Sequence, residues 1–192
     1  PSCAADAAAV ALQAGYRVQK IYPGFKNYKL FKEAKLWVQP GGKSGVVIQN
    51  MGDELMDQIR SFVREGGAYV GFCAGMFMST SQNGSTPLTG LGFVPGSTTL
   101  WNHDVHAGFF SIKTETTTSR MLYAGGPMLD VTDSDLKAAD GKIIATYPDG
   151  KNGGVLVNYG KGKVAVVGFH PEAGFLWKAR HGGFNDDNDR WF

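Results

Sequence analysis

The chain is poor in the features that announce a charged partner. Only 19% of its residues are charged, and the formal net charge is +2 without a basic run. Nothing in that balance is suited to a nucleic-acid backbone or an anionic membrane. No apolar stretch reaches the ~20 residues that a membrane-crossing helix needs. Cysteine is limited to Cys3 and Cys73, too few for a disulfide framework. Cys3, at the chain start, reads as peripheral. Of the four histidines, His103 and His106 flank Asp104 at a spacing compatible with ligation. A third ligand at convincing spacing is missing, so neither metal nor cofactor is expected. A loop lining a pocket suits residues 101–106 better. No secretory signal pattern is visible. The sequence opens at Pro1 without a methionine, so an upstream segment is expected to have been removed, and localisation stays open.

What is present is a globular composition. The 192 residues are 43% hydrophobic and include 27 glycines. That suits one domain spanning 1–192, with a sizeable core, many tight turns and backbone-lined pockets.

The stretch Gly66-Gly67-Ala68-Tyr69-Val70-Gly71-Phe72-Cys73-Ala74-Gly75-Met76 organises the rest. Residues 68–72 are apolar or aromatic apart from one glycine, as a strand buried on both faces should be. Gly71 and Gly75 bracket the cysteine as G-x-C-x-G, the thiol version of a nucleophile elbow. The turn is too tight for side chains at the bracketing positions. It lifts Cys73 to the carboxyl edge of a sheet, beside a helix N-terminus that favours the thiolate.

Taken in order, residues 4–14 read as an alanine-rich helix stopped by Gly15, and 16–22 as a strand closed by Pro23-Gly24. A helix before any strand is an unusual start for a doubly wound domain, so the chain is expected to lack its first strand. Residues 36–39 form a strand running into Pro40-Gly41-Gly42. A glycine pair there can turn backbone N–H groups toward a pocket, or can be an ordinary turn. Residues 51–65 form an amphipathic helix through Leu55, Met56, Ile59, Phe62 and Val63. Strand, P-G-G, helix and elbow strand make one βαβ unit.

Residues 79–96 read as loop with a short element at 91–94. Strands follow through Phe110, Ile112 and Thr114, then at 121–128, 143–147 and 154–159, with a hairpin turn over 159–163. Their close succession predicts antiparallel pairing. The last strand, 164–169, delivers Phe169-His170-Pro171-Glu172. Residues two apart on an extended segment share a face, so Glu172 can orient the His170 imidazole. The other ring nitrogen is then free to deprotonate Cys73. The tail opens as a short helix at 175–177 and ends polar, and His181 reads as structural or exposed.

The order P-G-G, G-x-C-A-G and H-P-E resembles the class I glutamine amidotransferase-like superfamily. Val38-Gln39-Pro40-Gly41-Gly42, the run 59–75, Tyr123-Ala124-Gly125-Gly126-Pro127 and Tyr159-Gly160-Lys161-Gly162-Lys163-Val164 resemble its branch related to the N-terminal domain of biotin-protein ligases. The resemblance implies a flavodoxin-like three-layer sandwich with a mostly parallel sheet and an antiparallel extension. It implies Cys73 as nucleophile, His170 as base and Glu172 as orienting acid, with the amides of Gly42 and Ala74 as oxyanion hole. Gly41, Met76, Tyr123, Gly125 and Gly126 would line the substrate pocket. The implied reaction is thiolate attack on the carbonyl of a small-molecule or peptide amide, through a thioester. An upstream segment or partner chain would complete the sheet. The alternative is a ligand-binding or regulatory module that keeps the fold without turnover. The bulk of Met76, Phe77 and Met78 argues against free glutamine as substrate.

Overall fold

The structure, a computed structural model, describes residues 2–180. The strands are β1 (Leu36–Gln39), β2 (Ala68–Phe72), β3 (Thr80–Asn83), β4 (Val94–Leu100), β5 (Gly108–Thr114), β6 (Thr118–Tyr123), β7 (Pro127–Asp130), β8 (Lys142–Thr146), β9 (Asn152–Tyr159) and β10 (Gly162–Val167). The helices are α1 (Cys3–Gln13), α2 (Ser44–Arg64), α3 (Ala74–Phe77), α4 (Asp133–Ala138) and α5 (Phe175–Arg180). All ten strands join one mixed sheet whose main path runs β1-β2-β10-β9-β7-β4-β3, with β5, β6 and β8 off it.

The parallel pairings are β1 with β2, β2 with β10 and β3 with β4. The remaining pairings are antiparallel, so the antiparallel extension is larger than the resemblance alone implies. Short links such as the turn between Tyr159 and Gly162 cannot carry a parallel crossover, which needs a dozen or more residues.

Alternation along β2 and β10 sorts side chains into two cores. Tyr69, Val164 and Val166 pack with Leu55, Met56, Ile59, Phe62 and Val63 of α2. Phe72 and Val167 face the other way, with Ala7 of α1 and with Ile112, Met121, Tyr147 and Phe169. The result is helix, sheet, helix, with the extension curling around the second core.

Several expectations change. Residues 16–22 form no strand. Tyr16, Val18 and Tyr22 are exposed, Tyr22 by 70%, and only Ile21 packs against the core. Apolar alternation supplies a face, but a strand also needs a hydrogen-bonding edge beside it. β1 ends the sheet with β2 as its one partner among the described residues. α2 starts at Ser44, earlier than the apolar spacing predicts, because two helical segments join across Gly52 at φ 67° and ψ 167°. Residues 79–96, read as loop, contribute β3 and the start of β4. The buried positions of β3 are the polar Thr80 and Asn83, so hydrophobic patterning misses it. α4 is also unanticipated; its Thr132 side chain accepts from the Asp135 N–H. His181 and the polar end of the tail lie outside the described residues.

Candidate active site

Cys73 stands where β2 turns into α3, at φ 49° and ψ −99°, a conformation L-residues rarely adopt. The flanking glycines are forced by backbone proximity. A Cβ on Gly71 would lie 2.7 Å from the Gly75 carbonyl carbon, and one on Gly75 would lie 2.6 Å from the Gln39 carbonyl oxygen. α3 is a single turn, with the Cys73 carbonyl accepting from the Met76 and Phe77 N–H groups at 3.0 Å each.

The parallel register of β2 and β10 brings the far end of the chain to the same spot. Val167 stands opposite Phe72, and the Cys73 N–H donates to the Val167 carbonyl at 2.8 Å. The chain then continues to His170, whose N–H donates to the Leu122 carbonyl at 2.7 Å. β1 lies on the other side of β2, so Pro40-Gly41-Gly42 leaves at this edge too. Three neighbouring parallel strands thus deliver their carboxyl ends to one rim, where open α/β sheets bind ligands.

There, His170 Nδ1 and Glu172 Oε1 are 2.9 Å apart. The imidazole and the Cys73 side chain also interact electrostatically. Nδ1 being engaged by the carboxylate, Nε2 is the nitrogen left for sulfur. Cys73, His170 and Glu172 are 4%, 1% and 3% exposed. Burial disfavours the imidazolium, but the negative charges of Glu172 and Cys73 and their hydrogen bonds outweigh it, holding the His170 pKa well above the ordinary histidine value. Glu172 Oε2 is buried without a hydrogen-bond partner among the described residues. The Cys73 thiol also reaches the Ala124 carbonyl at 3.9 Å.

Other residues named from sequence gather here unevenly. A Cβ on Gly41 would lie 2.6 Å from His170 Cε1. Gly42 follows at φ 147°, and Ala74 is the buried first residue of α3. Tyr123, Gly125 and Gly126 belong to the segment that carries Ala124. Tyr123 is fully buried, its hydroxyl donating to the carbonyls of Asn102 and Gly126 at 3.3 and 3.2 Å. Gly126 is pinned by the Gly168 carbonyl, only 1.6 Å from where its Cβ would be. Met76 goes to the α2-side core and is fully buried, because the single turn of α3 points it inward.

Two neighbours escape sequence reading. Cys3, expected to be peripheral, has its sulfur 3.4 Å from the same Gly41 Cβ position that touches the His170 ring. Trp177 packs on the imidazole, ring centres 4.5 Å apart at 57°. Both line a cleft of about 450 Å³ with Ser2, Ala4, Gly41 and Arg180. A cysteine opening a helix and a tryptophan in a tail carry no motif, so only the fold finds them. The 101–106 loop does line a cleft, but another one, of about 430 Å³, which Trp101, Asn102, His103 and Asp104 share with Phe110, Pro148 and Asp149. Among the described residues, no group of three or more His, Cys, Asp or Glu side chains is arranged to hold a metal ion.

Comparison with known proteins fits this geometry. Residues 5–84 match the family model described as biotin-protein ligase, N terminal. The pyridoxal 5'-phosphate synthase subunit PdxT of Nocardia farcinica is 30% identical over 145 residues, which are 70% of this chain. The chain spans 61% of that relative's length. A crystal structure described as a glutamine amidotransferase superposes with a TM-score of 0.68 at 19% identity, covering 88% of this chain and 85% of that one. The structure of PurLQS from Thermotoga maritima gives 0.65 at 17% identity, covering 89% and 82%. The chain is therefore glutamine amidotransferase-like in fold, and its residues 5–84 match the N-terminal segment of the biotin-protein ligase family.

Proposed function

We propose that the chain is a cysteine-dependent amidohydrolase or amidotransferase-like protein, with Cys73 as nucleophile, His170 as base and Glu172 as orienting acid. The observation that supports this reading is the imidazole bonded to Glu172 through Nδ1 and interacting with the Cys73 side chain, all three side chains buried at one rim. Glu172 fixes the ring and stabilises its protonated form, so the sulfur can be held as thiolate. The thiolate attacks an amide-type carbonyl, and the backbone amides of Gly42 and Ala74 receive the oxyanion. His170 then donates its proton to the departing amine, leaving a thioester on Cys73. It next takes a proton from water, whose hydroxide releases the acid and frees the thiol. Gly41, Tyr123, Gly125 and Gly126 would border a small-molecule or peptide amide. The match to a synthase subunit and the single-sided pairing of β1 support an added strand there, from an upstream segment or a partner chain.

The test is a panel of primary amides and amide-bearing peptides, assayed for ammonia or amine release and for hydroxylamine-trapped acyl groups. Wild type should turn over at least one member, and Cys73→Ser should not. Alkylation of Cys73 at equal rates in wild type and His170→Ala would overturn the dyad.

One observation favours a second reading. Cys73 is 4% exposed, nearly sealed in this conformation. A binding or regulatory module that keeps the elbow without turnover would retain a ligand in the cleft yet release no amine across the panel.

A further inference from the structure

We propose that Cys3 and Cys73 form a reversible intramolecular disulfide when the protein meets a peroxide, withdrawing the Cys73 sulfur from reaction and shielding it from further oxidation. The inference rests on Cys73 being the reactive thiol, though not on its turnover.

The two cysteines of the chain, distant in sequence, converge on one imidazole. Cys73 interacts with the ring electrostatically. Cys3 reaches it across Gly41, where the point a side chain would occupy lies 2.6 Å from His170 Cε1 and 3.4 Å from Cys3 Sγ. Because residue 41 has no Cβ, that point is vacant, and no side chain on Gly41 separates Cys3 Sγ from the His170 ring. Cys3 and Cys73 are close enough for the charge of one to act on the other. The remaining separation can be closed from the Cys3 side. Cys3 is the first residue of α1, an end held chiefly by the Ser2 cap, which accepts the Ala5 N–H at its carbonyl (2.8 Å) and its side chain (3.2 Å). Helix ends of this kind open at little free-energy expense. Cys3 also faces the mouth, lining the cleft with Trp177 and Gly41, so an oxidant that enters passes it.

The chemistry balances with the peroxide as two-electron oxidant. The Cys73 thiolate attacks one peroxide oxygen, the O–O bond breaks, and the leaving oxygen is protonated to alcohol or water. Cys73 is now a sulfenic acid. The Cys3 sulfur attacks Cys73 Sγ, the S–O bond breaks, and the oxygen leaves as water with the Cys3 proton. A dithiol reductant restores both thiols.

The experiment treats reduced wild type, Cys3→Ser and Cys73→Ser with hydrogen peroxide, then analyses peptides under non-reducing conditions. Wild type should yield a linked peptide pair containing Cys3 and Cys73, lighter by two hydrogens, and should recover Cys73 alkylation fully on adding dithiothreitol. Cys3→Ser should lose that alkylation irreversibly as Cys73 passes to sulfinic acid. Sulfinic Cys73 in wild type with Cys3 still a free thiol would overturn the proposal, as would a disulfide found only between two copies of the chain. Alkylation of Cys73 in the untreated protein reports separately on its reactivity, so the loss of either reading is visible by itself.

Discussion

Gly41 lies against the imidazole of His170, with only 2.6 Å between His170 Cε1 and the point where a Cβ would sit. The P-G-G turn and the H-P-E segment are thus fitted to one another, and a single methyl group tests that fit. Gly41→Ala should push the ring away from Cys73, and because a displacement of ~1 Å can lower rates by ~100-fold, Cys73 alkylation should fall by about that factor. Circular dichroism should show the fold retained. Unchanged alkylation would mean that the ring has room to spare.

The raised pKa of His170 gives a signed prediction for stability. The folded protein holds this proton more tightly than the unfolded chain, owing to Glu172 and Cys73 acting against burial. The stabilisation is therefore complete below the ordinary histidine pKa of about 6.5, and it is lost as pH rises through the raised folded value. Urea unfolding of wild type and His170→Asn should give a stability gap that is wider near pH 6 than near pH 10. A gap independent of pH would show that folding leaves the His170 pKa where it is in the unfolded chain, and a gap narrower near pH 6 would show the imidazole held neutral.

The backbone of Cys73 predicts an inversion of the usual glycine penalty. At φ 49° and ψ −99° a side chain is strained, and such residues carry about 1–3 kcal/mol of strain. Cys73→Gly should be more stable than Cys73→Ala by about 1 kcal/mol or more, read by denaturant midpoints. At an ordinary position glycine would be the weaker of the two.

The free side of β1 can be read by hydrogen exchange. The Ala68 N–H donates to the Lys35 carbonyl, so by the alternation of a parallel ladder Trp37 and Gln39 face β2. Leu36 and Val38 then turn their amides to the unpaired side. Those two amides should exchange faster than their neighbours in the isolated chain and become protected when a partner strand is added. Protection of all four without a partner would place a cover over this edge.

Legibility followed the source of each constraint. The elbow was readable because its glycines are demanded by backbone contacts within one short segment, Gly71 against Gly75. The His170–Glu172 pair was readable because alternation on an extended chain puts them on one face. Cys3 was not, because its place depends on how α1 docks near Gly41, a contact between elements with no local signature. Met76, named for the pocket from its place in the sequence, packs into the core instead, because proximity to Cys73 along the chain says little about which way a one-turn helix aims its side chains. Residues 16–22 carried an apolar alternation yet pair with no strand, with only Ile21 reaching the core, while β3, with Thr80 and Asn83 inward, pairs with β4 without the apolar pattern.

The position of β10 between β2 and β9 sets a timetable for synthesis. The bend bearing Cys73 is made first, and its neighbour Val167 and the imidazole of His170 come almost a hundred residues later. Until then the middle of the sheet has a vacant lane, and Cys73 is without the His170 ring beside it. A nascent chain would therefore hold the bend without its imidazole until β10 slots between β2 and β9.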